Sequence, residues 1–253
     1  MAHALILTYH AVEVGPPPLA ISPTLFEAHL DAIASSGVRA VTISELAERL
    51  SERDEPLVAL TFDDGFASVA ECAAPLLTER GLVATVYCVA GHLGGRSNWP
   101  TARPGGWESD LLSSSQVRAL HAAGWEIGSH GFVHAPIAHL HGEGLEREIA
   151  QSKDVLEGLL GSAVRSFALP YGARALPDGR RLLERCYTSV CTTKPARVES
   201  DADLRSLPRV DSHYLRRPEL LRRAVGGSLR PYLAARSIGS RARRLVRRDY
   251  VRP

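Results

Sequence analysis

Apolar residues along this chain come in short runs that stop abruptly, and between the runs they recur every three or four positions. The first run, residues 5–8, ends at Tyr9-His10. A loop with Pro16, Pro17 and Pro18 follows, and Ser22-Pro23 then supplies an N-cap and a first-turn proline. Phe26, Leu30, Ile33 and Ala34 share one face of the helix that opens there, and Gly37 stops it. The same reading predicts strands over 38–43, 57–62, 82–90, 125–128, 164–169, 187–192 and 206–210. Helices are predicted over 44–50, along Ala70, Ala73, Ala74 and Leu77, and over 113–123. Others follow over roughly 143–160, 178–185 and 218 to about 235. Strands alternating with helices imply a mostly parallel sheet with helices outside it. The expected fold is α/β, a (β/α) barrel in a single domain. It is distorted or short of eight full units, with seven to eight strands. The barrel is assigned to residues 1–235 and a separate tail to 236–253.

Composition narrows the setting. Of the 253 residues 45% are hydrophobic and 23% charged, ordinary values for a soluble globular chain. No apolar run reaches the roughly 18–20 residues that span a bilayer. Residues 1–10 carry no basic leader and no cleavage site, so the expected setting is the cytoplasm. Cys72, Cys88, Cys186 and Cys191 lack CxxC spacing and read as reduced thiols. The net charge of +2 hides an asymmetry, because residues 236–253 hold seven Arg and one Asp, or +6, leaving −4 for the rest. In that tail Ile238, Ala242, Leu245, Val246 and Tyr250 fall at helical spacing among the arginines. Such a segment either packs its stripe on the barrel or lies on an anionic membrane, which would make the protein peripheral at the inner membrane face. Nucleic acid is not an expected partner, since no aromatic-basic interleaving accompanies the arginines. The oligomeric state is not legible.

The run from Leu57 to Phe62 stops in Asp63-Asp64-Gly65. Two adjacent carboxylates repel, and one usually needs a cation or a proton. His130 and His134 form an H-x3-H pair after another strand, though His139 and His141 nearby also allow a plain histidine-rich loop. His10, Asp63-Asp64, His130 with His134, and Pro170-Tyr171-Gly172 would converge if the sheet closes, at the C-terminal strand ends where barrels build their sites. Asn98, Trp99 and Trp107 lie in a glycine-rich segment, as saccharide platforms or as anchors of a long loop.

Thr61-Phe62-Asp63-Asp64-Gly65, His130-x3-His134 and Phe167-Ala168-Leu169-Pro170-Tyr171-Gly172 together resemble the polysaccharide deacetylases, carbohydrate esterase family 4. The resemblance runs from about residue 5 to 210 and takes in Glu148-x3-Ser152-Lys153. The opening Leu7-Thr8-Tyr9-His10 looks like the branch acting on amino-sugar polymers outside the cell. The resemblance implies a metal triad of Asp64, His130 and His134. It implies one divalent ion, zinc ahead of cobalt, nickel or manganese, and a general base, Asp63. Tyr171 matches the residue whose backbone N–H helps hold the oxyanion, with Pro170 and Gly172 beside it. The implied reaction removes an N-acetyl or similar N-acyl group from an amino sugar in a glycan, a glycolipid precursor or a glycosylated metabolite. A hydrolase of another amide C–N bond and a non-catalytic saccharide-binding barrel are the alternatives. Three departures stand out. Gly131 replaces the usual Ser or Thr, which removes a hydrogen bond to the loop and is expected to loosen it. Ala168 replaces the arginine that orients the base, and Arg209 is the candidate substitute. The late histidine that serves as general acid is missing, with His10 the first candidate and His213 the second.

Overall fold

Six consecutive buried residues, Leu57–Phe62, form the strand from which the sheet is built outward. The computed structural model describes residues 4–51, 55–99, 106–172, 175–229, 232 and 235. Its strands are β1 (Ala4–Tyr9), β2 (Ala11–Val12), β3 (Ala20–Ile21), β4 (Arg39–Val41) and β5 (Leu57–Phe62), then β6 (Thr85–Cys88) and β7 (Glu126–Ser129). β8 (Ser166–Ala168), β9 (Ser189–Cys191) and β10 (Val210–Asp211) complete the set. Eight of them make one parallel sheet in the order β10-β1-β5-β6-β7-β8-β9, with β4 beside the first half of β5. Leu207 bridges Cys191 at one edge while Val210 pairs with Leu7 at the other. Residues 207–211 therefore run from edge to edge, and the sheet curls into a distorted, incomplete (β/α) barrel.

Both faces of β1 and β5 are buried, as covered parallel strands require. Leu5, Leu7 and Tyr9 of β1, with Val58, Leu60 and Phe62 of β5, join Phe26 and Leu30 of the helix Pro23–Ala34 in the outer core. The alternate residues Ala4, Ile6, Leu57 and Ala59 meet Tyr87, Ala168, Cys191 and Leu207 in a second, inner cluster. Period-two alternation thus sends odd-numbered positions of β5 into the barrel. The helix Ile43–Arg49 adds Ile43 and Leu46 to that inner cluster. Its first turn is bound by Glu126, which accepts from Ser44 N and Oγ (2.8 and 2.9 Å), Thr85 Oγ1 (3.1 Å) and Ser166 Oγ (2.6 Å). Thr85, Glu126 and Ser166 open three neighbouring strands, so this helix closes the N-terminal end of the barrel.

Several boundaries differ from the sequence reading. The helix Ile43–Arg49 is capped by Thr42, whose hydroxyl accepts from Glu45 N, rather than starting at Ser44. The last strand is only Val210–Asp211, since residues 206–210 are divided between the two sheet edges. The helix from Pro218 ends at Val225, where Gly226-Gly227 removes the side-chain restraint on the backbone. Residues 236–253 lie outside the described residues, as does the amphipathic tail assigned to them.

Candidate active site

Odd parity along β5 carries Thr61 and then Asp63 to the inside of the barrel, where Arg209 is waiting. The guanidinium grips Asp63 in a fork, with Nη1 to Oδ1 at 2.6 Å and Nη2 to Oδ2 at 2.7 Å. Nη1 also donates to Thr61 Oγ1 (3.1 Å) and Nε to the Thr192 carbonyl (3.1 Å), so each guanidinium nitrogen is engaged. The Tyr87 ring lies 5.5 Å beneath it. Burial alone would push the Asp63 carboxyl up. The Arg209 charge, helped by His130 and His10, outweighs burial and holds it below the usual carboxylate range. Arg209 itself is raised: burial alone would lower it, and the charge and hydrogen bond of Asp63 together with nearby Cys191 and Tyr87 outweigh that. Ala168, where an arginine was expected, sits in the inner cluster among apolar neighbours.

Asp64 leaves the strand with φ 71°, a left-handed value that non-glycine residues rarely adopt. Gly65 follows with φ 72°, and a Cβ there would lie 3.3 Å from the Cys88 backbone, so only glycine fits without displacement. The turn brings Asp64 Oδ1 to 3.4 Å from His130 Nε2 and 3.1 Å from His134 Nε2. One ligand-capable atom from each of these three buried residues lies within 4.8 Å of the others. His130 Nδ1 is 2.8 Å from the Ala168 carbonyl, which can only accept. In the neutral ring the proton therefore sits on Nδ1, which would leave the Nε2 lone pair directed inward for a metal ion. Two imidazoles and a carboxylate form an open set suited to one divalent ion. Burial would raise the Asp64 carboxyl, but the facing His134 and His130 rings take it well below its ordinary value.

The backbone of the loop joining the two histidines is anchored at many points. His130 N donates to the Cys88 carbonyl and Gly131 N to Ser129 Oγ. The carbonyls of Gly131 and Phe132 accept from Ala90 N and Gly91 N. The amides of Phe132, Val133 and Ala135 all donate to the Glu148 carboxylate at 3.0, 2.9 and 3.2 Å. Glu148 is 1% exposed and sits in a π-helical turn, Arg147–Gln151, inside the helix that spans 142–160. The expected loosening at Gly131 is thus corrected. A Cβ on Gly131, whose φ is 87°, would overlap Glu148 Oε2, so the glycine makes room for the carboxylate that holds the loop.

Tyr171 belongs to the turn Pro170–Gly172 and is the third non-glycine with positive φ, after Asp64 and His134. All three such residues among those described lie at this one place, where backbone strain marks function more often than chance. The Tyr171 hydroxyl is 3.0 Å from His134 Nδ1. Trp99 is buried with its ring 4.8 Å from His134 and 5.3 Å from His92, so it walls the site rather than standing open as a platform. Trp107 packs 5.4 Å from Phe66 and against Gly15, with no ring contact to His130 or His134 among the described residues, and Asn98 is exposed. His10 follows β1, and its charge bears on both Asp63 and Asp64. Its Nδ1 is buried without a hydrogen-bond partner among the described residues. His213 is exposed beside Pro17, Pro18 and Arg216, and no contact joins it to Asp63 or the histidines among the described residues. Sequence reasoning missed the Tyr171 hydroxyl and the grip of Glu148. Only the spacing Glu148-x3-Ser152, with Ser152 Oγ bonded to the Glu148 carbonyl, hinted at the second.

A family model described as polysaccharide deacetylase matches residues 51–182. YxkH of Bacillus subtilis (strain 168), whose name assigns it provisionally to the polysaccharide deacetylases, is 24% identical over 208 residues, 81% of this chain and 70% of that one. A chitin deacetylase of Pestalotiopsis sp is 33% identical over 114 residues, 45% of this chain. The chain spans 33% of that relative's length. The structure of IcaB from Ammonifex degensii matches with a TM-score of 0.72 at 28% identity, covering 88% of this chain and 98% of that one.

Proposed function

Because the chain belongs to the polysaccharide deacetylase family, we propose that it is a metal-dependent hydrolase removing an N-acetyl or similar N-acyl group from an amino sugar. The observation that carries this reading is a buried carboxylate forked by an arginine, one residue from a carboxylate that faces two imidazoles. Asp64, His130 and His134 would hold the ion. When bound, a divalent cation there supplies Lewis acidity, acidifying water and polarising an amide carbonyl.

The remaining work belongs to the chain's own residues. Asp63, ionised by Arg209, receives the proton of the attacking water. The fork fixes both oxygens of Asp63, so the base needs no reorientation to act. The Tyr171 backbone N–H steadies the negative charge that develops on the acyl oxygen. His10, at the end of β1 and close enough to act on both aspartates, delivers a proton to the departing amine. Free amine and carboxylate are the products. Buried Trp99, His130 and His134 keep bulk water from the inner side of the site.

The test is acetate release from N-acetylated glucosamine oligomers by chelated protein before and after reloading with zinc or cobalt. The reading expects activity only after reloading. A reloaded protein that frees neither acetate nor formate from a panel of N-acylated amino sugars would overturn it.

A further inference from the structure

The two imidazoles that face Asp64 are held in different ways. His130 is fixed by a backbone carbonyl, that of Ala168. His134 is fixed by a side chain, with its Nδ1 3.0 Å from the Tyr171 hydroxyl. The Trp99 ring lies tilted by 35° at 4.8 Å from the same imidazole, and the Tyr171 ring meets it edge-on at 4.6 Å. Tyr171 reaches this position from a left-handed backbone, φ 59° and ψ 5°, inside a turn closed by Gly172 N donating to the Leu169 carbonyl. A non-glycine residue pays for that conformation in strain, so the neighbouring contacts must select it. Its side chain is nevertheless 51% exposed, whereas His134 is buried.

From this arrangement we propose that the Tyr171 hydroxyl is the positioning group for His134, so that Tyr171 joins the open mouth of the site to its metal shell. The proposal rests on the reading of Asp64, His130 and His134 as metal ligands, and it adds a role for the side chain of a residue otherwise invoked for its backbone N–H. With Nε2 turned inward, Nδ1 carries the ring proton and the phenol oxygen accepts it, which fixes both the tautomer and the rotation of the imidazole. His130 needs no such help, since a carbonyl cannot rotate away. The exposed side of the Tyr171 ring faces solvent at the mouth, where an amino sugar would lie across it.

The test uses the full chain with Zn2+ or Co2+ as the probe. Tyr171→Phe keeps the ring and removes only the hydroxyl. Metal affinity, measured by competition with a chromophoric chelator, is expected to fall about 10–100-fold, the range for losing a hydrogen bond to a ligating histidine. The visible spectrum of the Co2+ form should change as His134 loses its fixed orientation, and the apo protein should melt as the wild type does. Tyr171→Ser, which removes the ring as well, should match Tyr171→Phe in metal affinity and raise KM for the saccharide in addition. Unchanged affinity and an unchanged Co2+ spectrum in Tyr171→Phe would overturn the proposal. So would a lowered apo melting temperature without a loss of affinity, because the hydroxyl would then only brace the turn. Failure of the wild type to take up any divalent ion is a separate result, and it would remove the metal reading itself.

Discussion

Asp63 and Asp64 are neighbours in sequence, yet each is governed by a different partner. Asp63 inherits the inward direction of β5 and meets Arg209, while Asp64 breaks the strand with a positive φ and meets the histidines. Removing the guanidinium leaves a buried carboxylate without its counter-charge. Arg209→Met should therefore raise the Asp63 pKa, keeping the base protonated to higher pH. The acid limb of the kcat/KM profile then moves upward, with a loss on the order of 100-fold or more near neutrality. The same change should cost about 3–5 kcal/mol of stability. Arg209→Lys keeps the charge but not the fork and should shift the limb less; an acid limb that stays put in both variants would deny Asp63 its role. Away from the site, His29 is buried against the Tyr9 hydroxyl at 3.1 Å, and burial lowers its pKa from 6.5 to about 4. The unfolded chain binds this proton first, so stability falls as pH drops from about 6.5 to 4 and is unaffected by His29 above that window. The shift corresponds to about 3 kcal/mol. Denaturant titrations of wild type and His29→Asn at pH 7 and pH 4 should show the variant losing less stability on acidification.

At the level of elements, the H-x3-H loop owes its shape to a helix that follows it. The spacing of His130 and His134 was readable in the chain, as was the apolar stripe of residues 143–160. The link between them was not, because it depends on a π-helical turn that aims Glu148 at three amides 13 to 16 positions back. Sequence periodicity reports which face of a helix is apolar and says nothing about one extra residue in a turn. Gly131 looked like a weakness for the same reason. Restoring a hydroxyl there should do harm: Gly131→Ser places a Cβ on the Glu148 carboxylate at φ 87° and should cost about 1–3 kcal/mol. Glu148→Ala should also lower stability and weaken metal binding, since three part-buried N–H groups lose their acceptor. Thermal melts of both variants check this, and a Gly131→Ser protein as stable as wild type would show that the loop is held otherwise.

Across the whole molecule, strand and helix alternation was enough to indicate a parallel α/β barrel, because strands covered on both faces must be continuously apolar and their crossovers must be helical. Closure was harder to see. It rests on residues 207–211 touching two edges at once and on the helix Ile43–Arg49 sealing the N-terminal end through Glu126. Neither leaves a periodic trace. That closure is also what delivers Arg209, 146 positions along the chain, to Asp63. The barrel thus supplies, from the residue just before its last strand, what the third motif lacks at Ala168. Among the described residues no helix is long and apolar enough to cross a membrane. The most direct test of the account compares Asp63→Asn with Asp64→Asn, measuring bound metal per chain and deacetylation of N-acetylated glucosamine oligomers on the same samples. The account predicts that Asp63→Asn retains about one ion per chain but loses 100-fold or more in kcat, whereas Asp64→Asn loses the ion together with activity. Metal loss in Asp63→Asn with a full complement in Asp64→Asn, or unchanged turnover in either, would contradict it.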